Sequence, residues 1–421
     1  MRNQGTSHSF FAATIIATFA VIAMTVALAE PAPAQTYNVL YNLTFGYGPG
    51  YPDQGMILNN GKLYGTLYLS GVNGACCGDV FELTDTGSGW SFLPLYNFNG
   101  NPDGWGPTAI TFGPDGNIYG TTNGPFPAAV NIPGDCGWSG CGAVFRLQPP
   151  SRKLQGWTET TLFTFTSSNG AYPGGDMVVD SLGNIYGAAG DLEFNTAGVV
   201  YELSPSGGGW TETVLNQFSG PNGAGPTGVI MDRNGNLDGT TRYGGGGYDN
   251  CTSGCGTVFQ LVPSSTGWTE NVLYQFQNNG DGGQPAYGLT LDRAGNLYGT
   301  TTGAFSAAGT VFELSPGQGG WTLTTLYIFP AGCIPVSDLT MDPAGNLYGY
   351  ASGCGDSAFE LTPGNNSWVF TTLHEFDCNT GCGPSGKMAI DANGNLYGIA
   401  TAGGTLNLGV VFEITPQQRR R

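Results

Sequence analysis

One stretch constrains the fold of this chain more than any other: Leu-Thr-Leu-Asp-Arg-Ala-Gly-Asn-Leu-Tyr-Gly-Thr-Thr, from Leu289 to Thr301. Its period-two alternation on either side of Asp-x-x-Gly-Asn describes two short strands folded about a tight turn, with Gly295 where a positive φ is needed. Its second half recurs as Lys-Leu-Tyr-Gly at 62–65, Asn-Ile-Tyr-Gly at 117–120 and 184–187, and Asn-Leu-Asp-Gly at 236–239. Asn-Leu-Tyr-Gly follows at 296–299, 346–349 and 395–398. Seven copies at intervals of 49 to 67 residues argue against one unsegmented core and for repeats that each pack on their neighbours.

Each unit carries two more strands. Gly309 to Leu314 is the third, with counterparts at 80–83, 144–147, 200–203, 258–261, 358–361 and 411–414. A six-residue turn, Ser315 to Gly320, leads to a fourth strand, Trp321 to Phe329, whose tryptophan recurs as Trp90, Trp157, Trp210, Trp268 and Trp368. Four strands in a repeat of this length make a propeller blade. The last repeat ends at Ile414 without its fourth strand, while Tyr37 to Phe45 stands alone before the first. The expected fold is therefore all-β: a seven-bladed β-propeller of four-stranded blades over residues 37–416. Residues 37–45 complete the last blade and close the ring, leaving no open sheet edge between the termini. A linear solenoid leaves that strand unexplained.

These units resemble the GloVer tandem repeats of exported bacterial proteins described as choice-of-anchor. Their Pro-x-Gly-x-x-x-Asp-x-x-Gly-Asn-x-Tyr core is also similar to NHL-type propeller repeats. The resemblance covers essentially all of residues 37–416 and implies a surface or secreted propeller, with no established activity to carry over. Anchored members continue into a C-terminal sorting helix, whereas here the basic tail 417–421 follows the last strand, so the resemblance brings no anchor to that end.

Charge and cysteine content agree with export. The net charge is −18, from 30 acidic and 12 basic residues, so phosphate neutralisation has almost no source and nucleic acid is not an expected partner. Residues 1–34 read as a signal peptide: Arg2, an apolar or small stretch from Phe10 to Ala29, and small-x-small sites for cleavage after Ala29 or Ala34. Left uncleaved, that stretch is long enough to anchor the chain in a membrane, the one condition under which membrane contact is expected. A secreted or cell-surface protein is anticipated, with the periplasm as the other oxidising compartment. Ten cysteines suit such a place. Close spacing suggests loop staples between Cys136 and Cys141, Cys251 and Cys255, and Cys378 and Cys382, with a longer bridge from Cys333 to Cys354. The vicinal Cys76 and Cys77 stay unassigned. With one histidine after the leader, no metal site and no cofactor are expected.

Functional candidates lie where the repeats disagree. The strand two-to-three loops vary most in length and share a face with the four-to-one loops, so that face is the expected place of function. Four residues before the turn aspartate, where glycine is the ordinary occupant, stand Gln54, Asp176, Asp338 and Lys387, a candidate ligand site at the channel mouth in which Asp338 and Lys387 are expected to pair. Tyr51, Trp105, Tyr172 and Tyr287 in the four-to-one loops form a candidate aromatic platform, with Phe126, Trp138, Tyr243 and Tyr248 in the two-to-three loops. Aromatic faces beside Asn and Asp suit sugar rings, so a glycan or an extracellular protein is the expected partner of a monomeric, non-catalytic scaffold. The alternatives are a channel-mouth enzyme of lyase, lactonase or quinoprotein type, or a purely structural ring. Against catalysis stands His374, assigned to an outer fourth strand, and the absence of a nucleophile motif. Asp180, Asp232, Asp292, Asp342 and Asp391 read as turn caps rather than calcium ligands. The strand-three glutamates, replaced by Arg146 and Gln260, read as tolerant positions, and Asp238 stands out in the tyrosine series without an account.

Overall fold

Alternating apolar residues and glycine-centred turns leave the backbone little choice but short antiparallel strands. The structure, a computed structural model, describes residues 35–44, 55–68, 77–100, 103–124, 141–152, 155–166, 168–190, 197–246, 251–303, 308–365 and 367–416. The leader 1–34, the tail 417–421, Tyr51, Gln54, Cys76, Phe126, Cys136, Trp138 and Tyr248 lie outside the described residues. Among those described, every regular element is a strand.

The unit first read from sequence shows the local logic. Thr290–Leu291, Leu297–Thr301, Thr310–Gly317 and Gly320–Ile328 form one antiparallel sheet in chain order. Asp292 makes the first turn: its Oδ1 accepts the N–H groups of Ala294 and Asn296 at 2.8 and 2.9 Å, and its Oδ2 accepts from Asn296 Nδ2 at 2.8 Å. Asp180, Asp232, Asp342 and Asp391 repeat this cage, so their carboxylates are turn caps. The outer hairpin is tighter than expected. Ser315, Pro316 and Gly317 pair with Thr322, Trp321 and Gly320, which leaves a two-residue loop instead of six. Proline is tolerated here because the ladder is close to its end at the periphery of the sheet.

Burial follows strand position. Leu297–Thr301 is buried throughout, whereas Gly320–Ile328 alternates, as an outer strand does. Units are then joined by a recurring contact between the Tyr-Gly tyrosine of one and the strand-four tryptophan of the next. Tyr119 meets Trp210, Tyr186 meets Trp268 and Tyr298 meets Trp368, with centroids 6.5, 6.0 and 6.3 Å apart. Threonine hydroxyls add stitches from one inner strand to the next, as Thr108 to Pro173 O and Thr227 to Tyr287 O.

The N-terminal strand sits as anticipated. Thr36–Asn42 pairs antiparallel with Val410–Thr415, at the outer edge of the sheet formed with Leu396–Ala402 and Cys382–Ile390. Tyr37 stacks on His374 at 3.8 Å, and its hydroxyl donates to Thr380 O at 3.0 Å. His374 is thus a packing residue on the strand Trp368–Glu375, and its burial pushes its pKa down. The loops carry disulfides Cys251–Cys255, Cys333–Cys354 and Cys378–Cys382 as the spacing suggested. Cys77 and Cys141 are disulfide-bonded too.

Two of the strand-three glutamates accept a hydrogen bond from the Tyr-Gly tyrosine of their own unit. Glu82 and Glu360 are buried, and Glu82 accepts from Tyr64 Oη at 2.9 Å and Lys62 Nζ at 2.7 Å. Tyr348 reaches Glu360 at 3.4 Å in the same way. This explains Asp238: where the tyrosine is lost, the glutamate becomes Gln260, whose Nε2 donates to Asp238 Oδ1 at 2.9 Å. Two of the exceptions to the repeat, Asp238 and Gln260, are thus one compensated pair.

Candidate functional site

Glycine lets the inner strands meet backbone to backbone. A Cβ on Gly55 would lie 1.6 Å from Lys387 O, and one on Gly175 would lie 1.6 Å from Thr227 O. Asp176 and Gly228 are bridged as parallel neighbours, and Met56 N donates to Lys387 O at 2.9 Å. The axis is therefore pinched, and its few side chains matter.

Three of the four sequence candidates on these strands converge there. Lys387 Nζ lies 3.6 Å from Asp176 Oδ2, so its ion pair is with Asp176 across the axis rather than with Asp338 as expected. Asp338 instead accepts the N–H of Gly288 through Oδ1. Gly288 is the space that both carboxylates use, since a Cβ there would stand 2.9 Å from Asp338 Oδ1 and 3.0 Å from Asp176 Oδ2. Gln54 lies outside the described residues, and the pairing moves its register position to Gly55: Ile57 pairs with Tyr64 as Val178 pairs with Tyr186. The first hairpin is one residue shorter, closing on Asn60 and Gly61 at φ 52° and 77°, so a count back from its turn overshoots by one.

Electrostatics divides the cluster. Burial, with the nearby charge of Asp176, pushes the Asp338 carboxyl up to about 6 against the opposing pull of Lys387. The charge of Asp176 holds the Lys387 ammonium above its ordinary range. Asp338 is only 8% exposed, and it forms part of the floor of one mouth. Lys387 opens instead on the opposite mouth, a funnel of about 1000 Å³ beside the turns of Asp292, Asp342 and Asp391. Among the described residues no group of three or more His, Cys, Asp or Glu side chains is arranged to hold a metal ion.

The mouth above Asp338 is built by the variable loop face. Tyr172, Tyr243, Tyr287, Asn123 and Arg242 line a cavity of about 370 Å³ there. Tyr172 and Tyr287 were legible in the sequence as platform residues. Trp105 belongs elsewhere: it packs edge-on against Tyr68 at 5.2 Å and does not line this cavity. Tyr51 lies outside the described residues. Asn123 and Arg242 are new members, and Asn123 Nδ2 donates to Tyr68 Oη at 2.6 Å. Their signal was positional. Both follow Tyr-Gly or Asp-Gly by three residues, where the other repeats place Tyr68, Gly190, Thr302, Ser352 and Thr401.

Tyr172 is also conformationally unusual. It holds φ at 55° immediately before Pro173, where the corresponding pre-proline residues Gly106, Gly225 and Gly383 have φ of 58°, 65° and 63°. Gln284 shares this conformation at 54°. Tyr172 is thus a bulky residue in a left-handed conformation that three of the other repeats give to glycine.

The model of the Gloeobacter/Verrucomicrobia repeat matches residues 28–252 and 248–420 of this sequence. No curated protein matches it. Among solved structures, the chain is similar to the polysaccharide lyase Uly1, at 12% identity and a TM-score of 0.51 over 93% of this chain and 94% of that one. It is similar to the extracellular domain of the putative one component system BT4673 from B. thetaiotaomicron, at 10% identity and 0.54 over 92% and 41%. PorZ, a surface component of the type-IX secretion system of Porphyromonas gingivalis, aligns at 16% identity and 0.49 over 88% and 48%, so this chain spans about half of its length. At these identities the likeness is one of fold.

Proposed function

This chain belongs to the Gloeobacter/Verrucomicrobia repeat family, and from that premise we propose a secreted or cell-surface β-propeller that binds a glycan at its tyrosine-lined mouth. In this reading the four-stranded units are seven blades, residues 37–416 are one domain, and the N-terminal strand closes the ring. Closure is supported by the pairing of Thr36–Asn42 with Val410–Thr415 and by the backbone bond between Met56 and Lys387. It is further supported by Trp90 against Tyr397, which reproduces the contact between adjacent units. Export is supported by the disulfides of the loop face, and in this reading the signal peptide 1–34 is cleaved after Ala29 or Ala34.

The observation that carries the binding reading is the convergence of Tyr172, Tyr243 and Tyr287 with Asn123 and Arg242 around one cavity. The Tyr172 and Tyr287 rings supply faces for sugar C–H groups, and the amide, hydroxyls and guanidinium supply polar partners. The test is a glycan array followed by titration calorimetry on the wild type and on Tyr287→Ala. A bound oligosaccharide whose affinity drops at least about tenfold in the variant is expected. A protein that retains no glycan, or a variant that binds equally well, counts against the reading.

A second reading, catalysis at the same mouth, is favoured by one observation: Asp338, pushed up to about 6, beside Asp176 on the axis. A carboxyl near neutrality next to a second carboxylate is a usable proton donor. Turnover of a bound polysaccharide that disappears in Asp338→Asn supports it, and binding without turnover removes it.

A further inference from the structure

Electrostatics at the mouth restricts what kind of glycan fits. Arg242 is one of 12 cations in a chain of net charge −18. It is the penultimate residue of the strand Leu237–Tyr243, is exposed at the cavity, and has its guanidinium 5.3 Å from the centroid of the Tyr243 ring. Among the described residues it makes no ion pair, although acidic side chains outnumber basic ones by 30 to 12. The carboxylate lining the cavity, Asp338, is buried and accepts the Gly288 amide. Arg242 is also the only cation at its repeat position, where Tyr68, Asn123, Gly190, Thr302, Ser352 and Thr401 stand in the other units. A guanidinium lying over an aromatic ring can still offer N–H donors to a planar or tetrahedral anion.

We propose that the mouth recognises an acidic sugar, a uronate or a sulfate ester, with Arg242 gripping the anion while Tyr172 and Tyr287 stack on the ring. The proposal rests on the reading of this mouth as a glycan site. The anion meets Arg242 at the rim, and the sugar hydroxyls face Asn123 and the floor. Tyr243 is the positioning residue, since its ring lies beneath the guanidinium.

The test is calorimetric titration of the intact protein with three probes of similar length: oligogalacturonate, carrageenan oligosaccharide and cello-oligosaccharide. Wild type and Arg242→Gln are compared, with Arg242→Lys as the conservative variant. The wild type is expected to bind one acidic probe at least about tenfold more tightly than the neutral probe and to weaken as salt rises. Arg242→Gln is expected to lose that preference while keeping its melting temperature, and Arg242→Lys to recover part of it. Which acidic probe binds separates carboxylate from sulfate. Equal binding of neutral and acidic probes, or a preference that survives in Arg242→Gln, overturns the proposal and leaves the glycan site standing. Failure of all three probes, together with an empty glycan array, overturns both.

Discussion

Trp90 lies against Tyr397, ring centroids 6.2 Å apart and planes at 58°, although the two come from opposite ends of the repeat array. Trp268 and Tyr186, from successive repeats, adopt nearly the same geometry at 6.0 Å and 60°. The likeness of the two contacts supports the ring closure proposed above.

That equivalence is measurable. Trp90→Ala and Trp268→Ala are each expected to lower unfolding free energy by about 2–4 kcal/mol, since half-buried aromatic truncations fall at or below the range for core ones. Chemical denaturation checks it. If Trp90→Ala costs less than a third of Trp268→Ala, the first and last blades are not joined.

Asp338 predicts a pH signature. Its carboxyl titrates near 6 when folded and near the ordinary aspartate value when unfolded. The native state thus binds more protons between roughly pH 4 and 6, and stability falls as pH rises through that window. Asp338→Asn still accepts the Gly288 amide, so it is expected to be about 1–3 kcal/mol more stable than wild type at pH 8 and to converge with it at pH 4. Lys387→Met leaves Asp176 without its cation and is expected to destabilise at pH 8. Melting curves across this range decide the matter, and a pH-independent gain in Asp338→Asn would remove the assignment.

Asp238 and Gln260 predict a non-additive pair. Burial pushes the Asp238 carboxyl up to about 7, with Gln260 holding it by a hydrogen bond. Gln260→Glu restores the repeat's usual residue yet sets two carboxylates side by side, an expected loss of about 1–3 kcal/mol at pH 8. The loss shrinks at pH 5, where one carboxyl carries the proton and donates it to the other. The double change Asp238→Tyr with Gln260→Glu re-creates the common pairing and is expected to recover stability. Thermal scans of the three variants at both pH values are the check.

The Cys333–Cys354 bridge joins the two loops of one unit over a separation of 21 residues. Replacing both with alanine is expected to lower stability by about 3 kcal/mol through the freed unfolded chain. Intact-mass analysis before and after reduction verifies the bond, and a thiol found free at either position refutes it.

Most of the architecture was written in contiguous residues. Asp292, Gly295 and Asn296 build their turn from bonds that span four positions, so the hairpin was readable from one segment, and its repetition then implied the rest. The strand at Tyr37 was readable from the repeat count instead, because the last unit lacked a fourth strand of its own. The count back from a turn failed at Gln54 because it assumed equal hairpin lengths, and the pairing of Lys387 failed because adjacency in sequence order said nothing about reach across a narrow axis. Arg242 and Asn123 were invisible as a pair, since their loops come from different repeats and meet only around the mouth. Local hydrogen-bond chemistry acts over a few residues and was settled by sequence, whereas the company each mouth residue keeps depends on how the packed sheets bring distant loops together.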